Sequence, residues 1–149
     1  MQLLLIPYIC DMARILAFDY GTKRIGIAVT DPLQIIATGL DTIHPKDIIE
    51  YLKKYLLSEQ VDAFVIGDPK QMDGSPSQSA QHVKGFATTL KKSFPEIKQY
   101  WIDERFTSKI AEQTIRQSGL KKSDRKDKER VDTIAATLIL QYFMEEQRL

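Results

Sequence analysis

The chain has 149 residues, 43% of them apolar and 28% charged, with a net charge of +1. That length supports one core burying roughly two thirds of the unfolded surface, and the balanced charge excludes a globally basic nucleic-acid binder, leaving such binding to a local patch. A single cysteine, Cys10, excludes an internal disulfide and a multi-cysteine zinc site and fits a reducing cytoplasm.

The apolar start, Met1 to Cys10, is far shorter than the roughly 20 residues of a membrane span and lacks the basic opening of a signal peptide. No membrane association is expected. Met12-Ala13-Arg14 leads directly into the first apolar run, so Met12 is expected to be the natural start, with residues 1–11 an upstream extension and 12–149 a single domain. An edge strand over Leu3 to Ile6 is the alternative.

Residues Arg14 to Tyr20, Ile25 to Thr30 and Ile35 to Leu40 are apolar, β-branched runs separated by Gly21 and by Asp31-Pro32, which predicts an antiparallel meander. From Pro45 the period becomes helical, with Ile48, Ile49, Leu52, Tyr55 and Leu56 on one face. Ala63 to Gly67 reads as a central strand buried on both faces. Asp68 to Ser77 contains Pro69, Gly74 and Pro76 and is expected as a loop. A second helix follows through Val83, Phe86, Ala87 and Leu90, and Ile97 to Ile102 forms the next strand. Thr107 or Ser108 can cap a third helix closed by Gly119. Leu120 to Arg130 carries six basic residues against three acidic ones and is expected as a loop. The final helix, Val131 to about Glu146, presents Val131, Ile134, Ala135, Leu138, Ile139 and Tyr142 to the sheet. The sum is an α/β fold: a mixed five-stranded sheet, three strands antiparallel and two parallel, flanked by helices.

Three acidic positions resist a packing explanation: Asp19 at a strand end, the Asp103-Glu104 pair at another, and Asp132 near the start of the last helix. A strand-end carboxylate needs a donor, a cation or a proton. With the first strand beside the Val65 strand, and that beside the Tyr100 strand, the strand-end acids share one sheet edge. Asp132 must come from the helix, where Ala135 and Ala136 leave space beside it. Converging carboxylates repel unless neutralised, and magnesium or manganese accepts hard oxygen ligands. Such a site performs phosphoryl chemistry without histidine or cysteine. Gly21 and Gly26 bracket Thr22-Lys23-Arg24, offering backbone amides and two cations to a phosphate, although a hairpin turn alone explains Gly21 and solvation alone explains Lys23 and Arg24. Arg105 can hold a phosphate or pair with a neighbouring carboxylate. Lys121, Lys122, Arg125 and Lys126 precede Asp132, where they can grip substrate phosphate or simply be solvated.

Four ordered motifs carry a resemblance: Ala17-Phe18-Asp19-Tyr20-Gly21 through Thr30, Gly67-Asp68-Pro69 through Met72-Asp73-Gly74-Ser75, Asp103-Glu104-Arg105-Phe106-Thr107, and Val131-Asp132-Thr133-Ile134-Ala135-Ala136. Over Met12 to about Met144 the chain resembles the YqgF (RuvX) family. The resemblance implies a ribonuclease H-like fold and a nuclease for the 5′ end of precursor 16S rRNA, or an enzyme like the Holliday junction resolvases acting on branched DNA. It makes Asp19, Asp132 and one acid of the strand pair the catalytic metal ligands. Asp103 and Glu104 alternate across the strand; comparison with the related resolvase strand favours Glu104, with Asp103 the alternative. The sequence departs from the family at Asp68 and Lys70, where apolar residues are expected. Magnesium or manganese, a nucleic-acid substrate, a cytoplasmic location and a monomer or homodimer follow as expectations. A non-catalytic nucleic-acid-binding factor in ribosome maturation or transcription is the competing class. A sugar-kinase or actin-like phosphotransferase shares the opening strands, but needs a second domain to close over nucleotide.

Overall fold

The apolar runs near the start of the chain pair as strands because each sends side chains to both faces of a covered sheet. In the computed structural model, which describes residues 13–70, 78–105 and 128–148, β1 (Arg14–Tyr20), β2 (Ile25–Thr30) and β3 (Ala37–Ile43) form the antiparallel meander. On the other side of β1, β4 (Val61–Asp68) and β5 (Lys98–Asp103) are added in parallel. The order across the sheet is β3-β2-β1-β4-β5. The strand around Val65 is therefore interior, as its unbroken apolar run requires, but β1 holds the middle.

Two helices, α1 (Ile48–Ser58) and α2 (Ala80–Ser93), cover one face, and α3 (Lys128–Arg148) covers the other. Under α1 and α2 the alternation of β1 and β4 buries Leu16, Phe18, Phe64 and Ile66 against Leu52, Val83, Phe86 and Leu90. Phe18 makes edge-to-face contacts with Phe64 and Phe86, ring centroids 5.4 Å apart in each pair. Such pairs add about 1 kcal/mol each beyond burial. The α3 face is built from smaller residues, Ala17, Ala28, Ala63 and Val65, against Ala136, Ile139, Leu140 and Phe143. Small side chains on both surfaces let this helix lie close to the sheet.

Three sequence expectations are corrected. β3 begins at Ala37, not Ile35, and runs on to Ile43. The Asp31 carboxylate accepts backbone N–H bonds from Leu33, Ile35 and Ile36 at 3.1, 2.7 and 2.7 Å, and Gln34 adopts φ 57°, so the segment curls into a turn with Ile35 and Ile36 exposed. The last helix starts at Lys128, taking Lys128 to Arg130 out of the expected loop. Its buried stripe is Ala136, Ile139, Leu140, Phe143 and Met144, with Ile139 common to the expected face. The run Ile134 to Met144 is apolar almost all round, so periodicity alone leaves its rotation open. Residues 1–11, the Met72-Asp73-Gly74-Ser75 turn, the helix expected between Thr107 and Gly119, and Lys121, Lys122, Arg125 and Lys126 lie outside the described residues.

The close approach of α3 depends on Gly26. A Cβ there would overlap the backbone carbonyl of Asp132 and lie 3.0 Å from its Cβ. The obstacle is helix backbone, which cannot swing aside. Gly26→Ala is expected to lower stability by about 2 kcal/mol, measured as a fall in the urea midpoint with an unchanged slope.

Candidate active site

Alternation along β1 places Ile15 and Ala17 on the α3 face, and Asp19 follows them at the strand end. Asp19 pairs with Gly26 on β2, and Phe18 pairs with Ile66 on β4, so Gly67 is the next residue beside Asp19. The acid thus sits in a row between two glycines. Each gap admits a second acid. Over Gly26 lies the first part of α3 with Asp132; over Gly67 lies the Glu104 carboxyl, which would collide with a Cβ at that position. In the sequence Gly67 reads as a strand end and as the opening of the Gly67-Asp68-Pro69 motif. The signal available was a glycine one step beyond an apolar strand, in a chain that needs room for an acid from the neighbouring strand.

The two strand-end acids separate as alternation requires. Ile102 is buried on the α3 face; Glu104 continues that phase and its side chain is hydrogen-bonded to Asp19. Asp103 is engaged by Arg105: its Oδ1 accepts the Arg105 backbone N–H at 3.0 Å and its Oδ2 accepts Nε–H at 2.8 Å, with Nη2 at 2.6 Å. That guanidinium holds the Asp103 carboxyl below its ordinary range. Arg105 is therefore paired with the neighbouring acid, Asp103.

Burial raises Asp19 to about 6, opposed by the Glu104 hydrogen bond and reinforced by the nearby Asp132 charge. Burial also raises Glu104, to about 9, with repulsion from Asp19 and then the hydrogen bond to Asp19 adding to it. Glu104 keeps its proton and donates it to the Asp19 carboxylate. Desolvation and mutual repulsion favour one proton held between the two carboxyls.

Asp132 is handled differently. Its Oδ2 accepts Arg24 Nε–H at 2.7 Å in a part-exposed ion pair. Arg24 is thus a structural partner of the third acid, not a solvated cation. Space beside Asp132 comes from Gly26, whereas Ala136 is buried in the core. Gly21 closes the hairpin, donating its N–H to the Arg24 carbonyl at 2.8 Å, so its amide is committed to the turn. Lys23 is exposed at the hairpin tip. Asp19, Tyr20, Gly21, Thr22, Lys23, Arg24 and Asp132 line a cleft of about 280 Å³. A larger groove of about 740 Å³ beside α1 is lined by Asp47 and Glu50 together with His44, Lys53 and Lys54, and none of the candidate acids reaches it. Size does not mark the site here. The family departures Asp68 and Lys70 lie 3.7 Å apart as an ion pair.

The donor set fits a hard divalent cation. Two part-buried carboxyls are hydrogen-bonded to each other, and a third acid adjoins them. Among the described residues, however, no three such side chains close on a single point in this conformation, because Asp132 is turned to Arg24. No helix among the described residues is long and apolar enough to cross a membrane.

Residues 13–146 match the RuvX family, described as Holliday junction resolvase. A relative from Flavobacterium johnsoniae named "Putative pre-16S rRNA nuclease" is 51% identical over 137 residues, covering 92% of this chain and 99% of the relative. A protein of the same name from Bacteroides thetaiotaomicron is 46% identical over 137 residues, with the same coverage. Among solved structures, T. thermophilus RuvC in complex with Holliday junction substrate aligns over 91% of this chain and 96% of its own, with a TM-score of 0.54 and 13% identity. That likeness is one of fold: the mixed sheet and its helices are ribonuclease H-like. With a family match running from the first described strand almost to the end of α3, and curated relatives matched over nearly their whole length, the chain belongs to the RuvX family.

Proposed function

We propose that the chain is a divalent-cation-dependent nuclease, acting in the cytoplasm on the 5′ end of precursor 16S rRNA, with Asp19, Glu104 and Asp132 holding magnesium or manganese. The observation that carries this is the proton-sharing Asp19–Glu104 pair in the gap left by Gly67. Two part-buried carboxyls pressed together by the fold are a poor structural choice and a good cation site. When bound, the cation supplies a Lewis acid that lowers the pKa of a water and neutralises a leaving oxyanion. The protein's part is to hold the carboxylates in place without water between them, and to put Lys23 and Arg24 on the cleft wall, where a substrate phosphate enters. The curated relatives named for pre-16S rRNA support the substrate.

A second reading, cleavage of branched DNA, has the family's description in its favour. It requires two sites related by symmetry in a homodimer, whereas trimming of an rRNA end works in a monomer. Incubating the protein with precursor rRNA and with four-way DNA junctions under magnesium separates the two.

Asp19→Asn is expected to cut cleavage of the preferred substrate by at least roughly 10²-fold while leaving the fold intact. Turnover by correctly folded Asp19→Asn protein at the parent rate defeats the carboxylate mechanism. Gly67→Ala offers a subtler check: the obstacle to its Cβ is the mobile end of Glu104, so the expected result is loss of cleavage with little loss of melting temperature.

A pH dependence follows from the carboxyl pair. Asp19 and Glu104 bind protons more tightly in the folded chain than in the unfolded one, so the unfolded state releases them first as pH rises. Stability of the cation-free protein is therefore present below an ordinary pKa of 4.5 and falls as pH rises toward about 9. Melting in EDTA across this range is expected to show that decline, Glu104→Gln to flatten it, and added magnesium to raise the melting temperature most at the alkaline end. A pH-independent melting temperature in EDTA would show that the pair is not buried as described.

A further inference from the structure

Tyr20, the residue after Asp19, lines two spaces at once. On the α3 side it borders the acidic cleft; on the other it forms a wall of a slot of about 380 Å³ between α1 and α2. Phe86 stacks on its ring, centroids 4.9 Å apart and planes at 29°, which fixes the ring's plane. The slot's other walls are apolar where α1 begins, at Pro45, Ile48 and Ile49, and polar along α2, at Gln81 and His82. Its volume lies in the range of small-molecule sites, about 300–1,000 Å³.

Gly85 opens this slot. It stands inside α2, where glycine is the least favourable residue short of proline. A close approach by another element would explain it, as at Gly26 and Gly67. At Gly85 nothing among the described residues lies within 4 Å of an added Cβ. The space it leaves is exposed and faces out of the chain. Among the described residues that space is open to a ligand. The walls are largely aromatic and aliphatic, with Gln81, His82 and Thr89 the polar members and no lysine or arginine among the described lining residues, a poor match to a phosphate. They suit a flat, apolar-faced ring whose edge carries hydrogen-bonding groups, which Gln81 and His82 can meet.

We propose that the Tyr20–Gly85 slot between α1 and α2 holds an unstacked nucleobase of single-stranded RNA, one of those flanking the phosphate in the Asp19 cleft. This rests on the nuclease reading and extends it from chemistry to substrate form: the enzyme takes a single-stranded segment whose bases can splay. Duplex RNA offers no free base to the slot. Tyr20 is the hinge of the arrangement, with phosphate on one side of the β1 end and base on the other.

The test uses the full chain in EDTA, to prevent cleavage, with a short fluorescein-labelled single-stranded RNA followed by anisotropy. The comparison RNA has the same backbone with abasic nucleosides. Gly85→Leu fills the slot from a position with open space around it, and its melting temperature is expected to match or exceed the parent's because leucine favours helix. Its affinity for the base-bearing RNA is expected to fall about tenfold, to the level at which the parent binds abasic RNA. Gly85→Ala is expected to show a smaller loss in the same direction. The slot is refuted if folded Gly85→Leu protein binds base-bearing RNA as tightly as the parent, or if the parent does not distinguish the abasic RNA. If either result accompanies normal RNA cleavage by the parent under magnesium, the slot alone falls. If the parent neither binds nor cleaves RNA, the RNA-nuclease reading falls with it.

Discussion

A carboxylate at the end of the middle strand of a covered sheet is tolerable only if the neighbouring strands leave room for what neutralises it. Here the row Gly26–Asp19–Gly67 provides that room on both sides. Any larger residue at either glycine would fill the space above Asp19 with its own side chain. The chain uses the first gap to seat helix backbone at Asp132 and the second to seat the Glu104 carboxyl. The site is thus a consequence of sheet register: a slip of one residue between β1 and β4 would put Ile66 or Asp68 beside the acid and send its side chain to the wrong face.

The acids around that row are neutralised by two different means. Asp103 is matched by Arg105, and Asp132 by Arg24, each in a part-exposed pair with a short hydrogen bond. Asp19 and Glu104 use a proton instead. The distinction follows from access. Guanidinium groups on the strand end and hairpin reach Asp103 and Asp132, whereas Asp19 and Glu104 are hydrogen-bonded to each other. This is why the buried pair, and not the more numerous rim pairs, points to cation chemistry.

Much of the sheet was legible from pattern alone. β1, β2, β4, β5 and the parallel addition beside β1 follow from apolar runs, glycine and proline punctuation, and the switch to helical period after Pro45. The start of β3 was not, because Asp31 reorganises six residues through bonds to backbone N–H groups that no hydropathy pattern registers. Nor was the rotation of α3, whose surface is apolar nearly all round. For the candidate site, acids out of place drew attention to Asp19 and Asp132, which line one cleft. Its partners were harder to read: Arg24 looked like a solvated lysine-like neighbour, yet reaches Asp132 across the fold. Deciding between Asp103 and Glu104 by physics requires knowing that Ile102 faces α3, which the observed packing supplies and a six-residue strand with both faces partly exposed does not.

The rotation of α3 matters beyond the core. Asp132 lies four residues before Ala136, and the stripe continues through Ile139, Leu140 and Phe143, so the acid is the first member of the helix's own buried row. The side chains that seal the sheet are those that aim Asp132 at the cleft. Thr42 reinforces this by donating its hydroxyl to the Glu129 carbonyl at 3.0 Å, and Gly39 brings β3 within 3.2 Å of Thr133 at the position of a Cβ. The meander is held by local pairings between consecutive strands, but α3 reaches it only after the rest of the chain has been traversed, so its docking bears the larger loop-closure cost. Opening the N-terminal turns of α3 would break the Arg24–Asp132 pair and uncover the Asp19–Glu104 pair in the same event. Site integrity and completion of the core are therefore one packing event, with Gly26 as the point where helix and sheet meet.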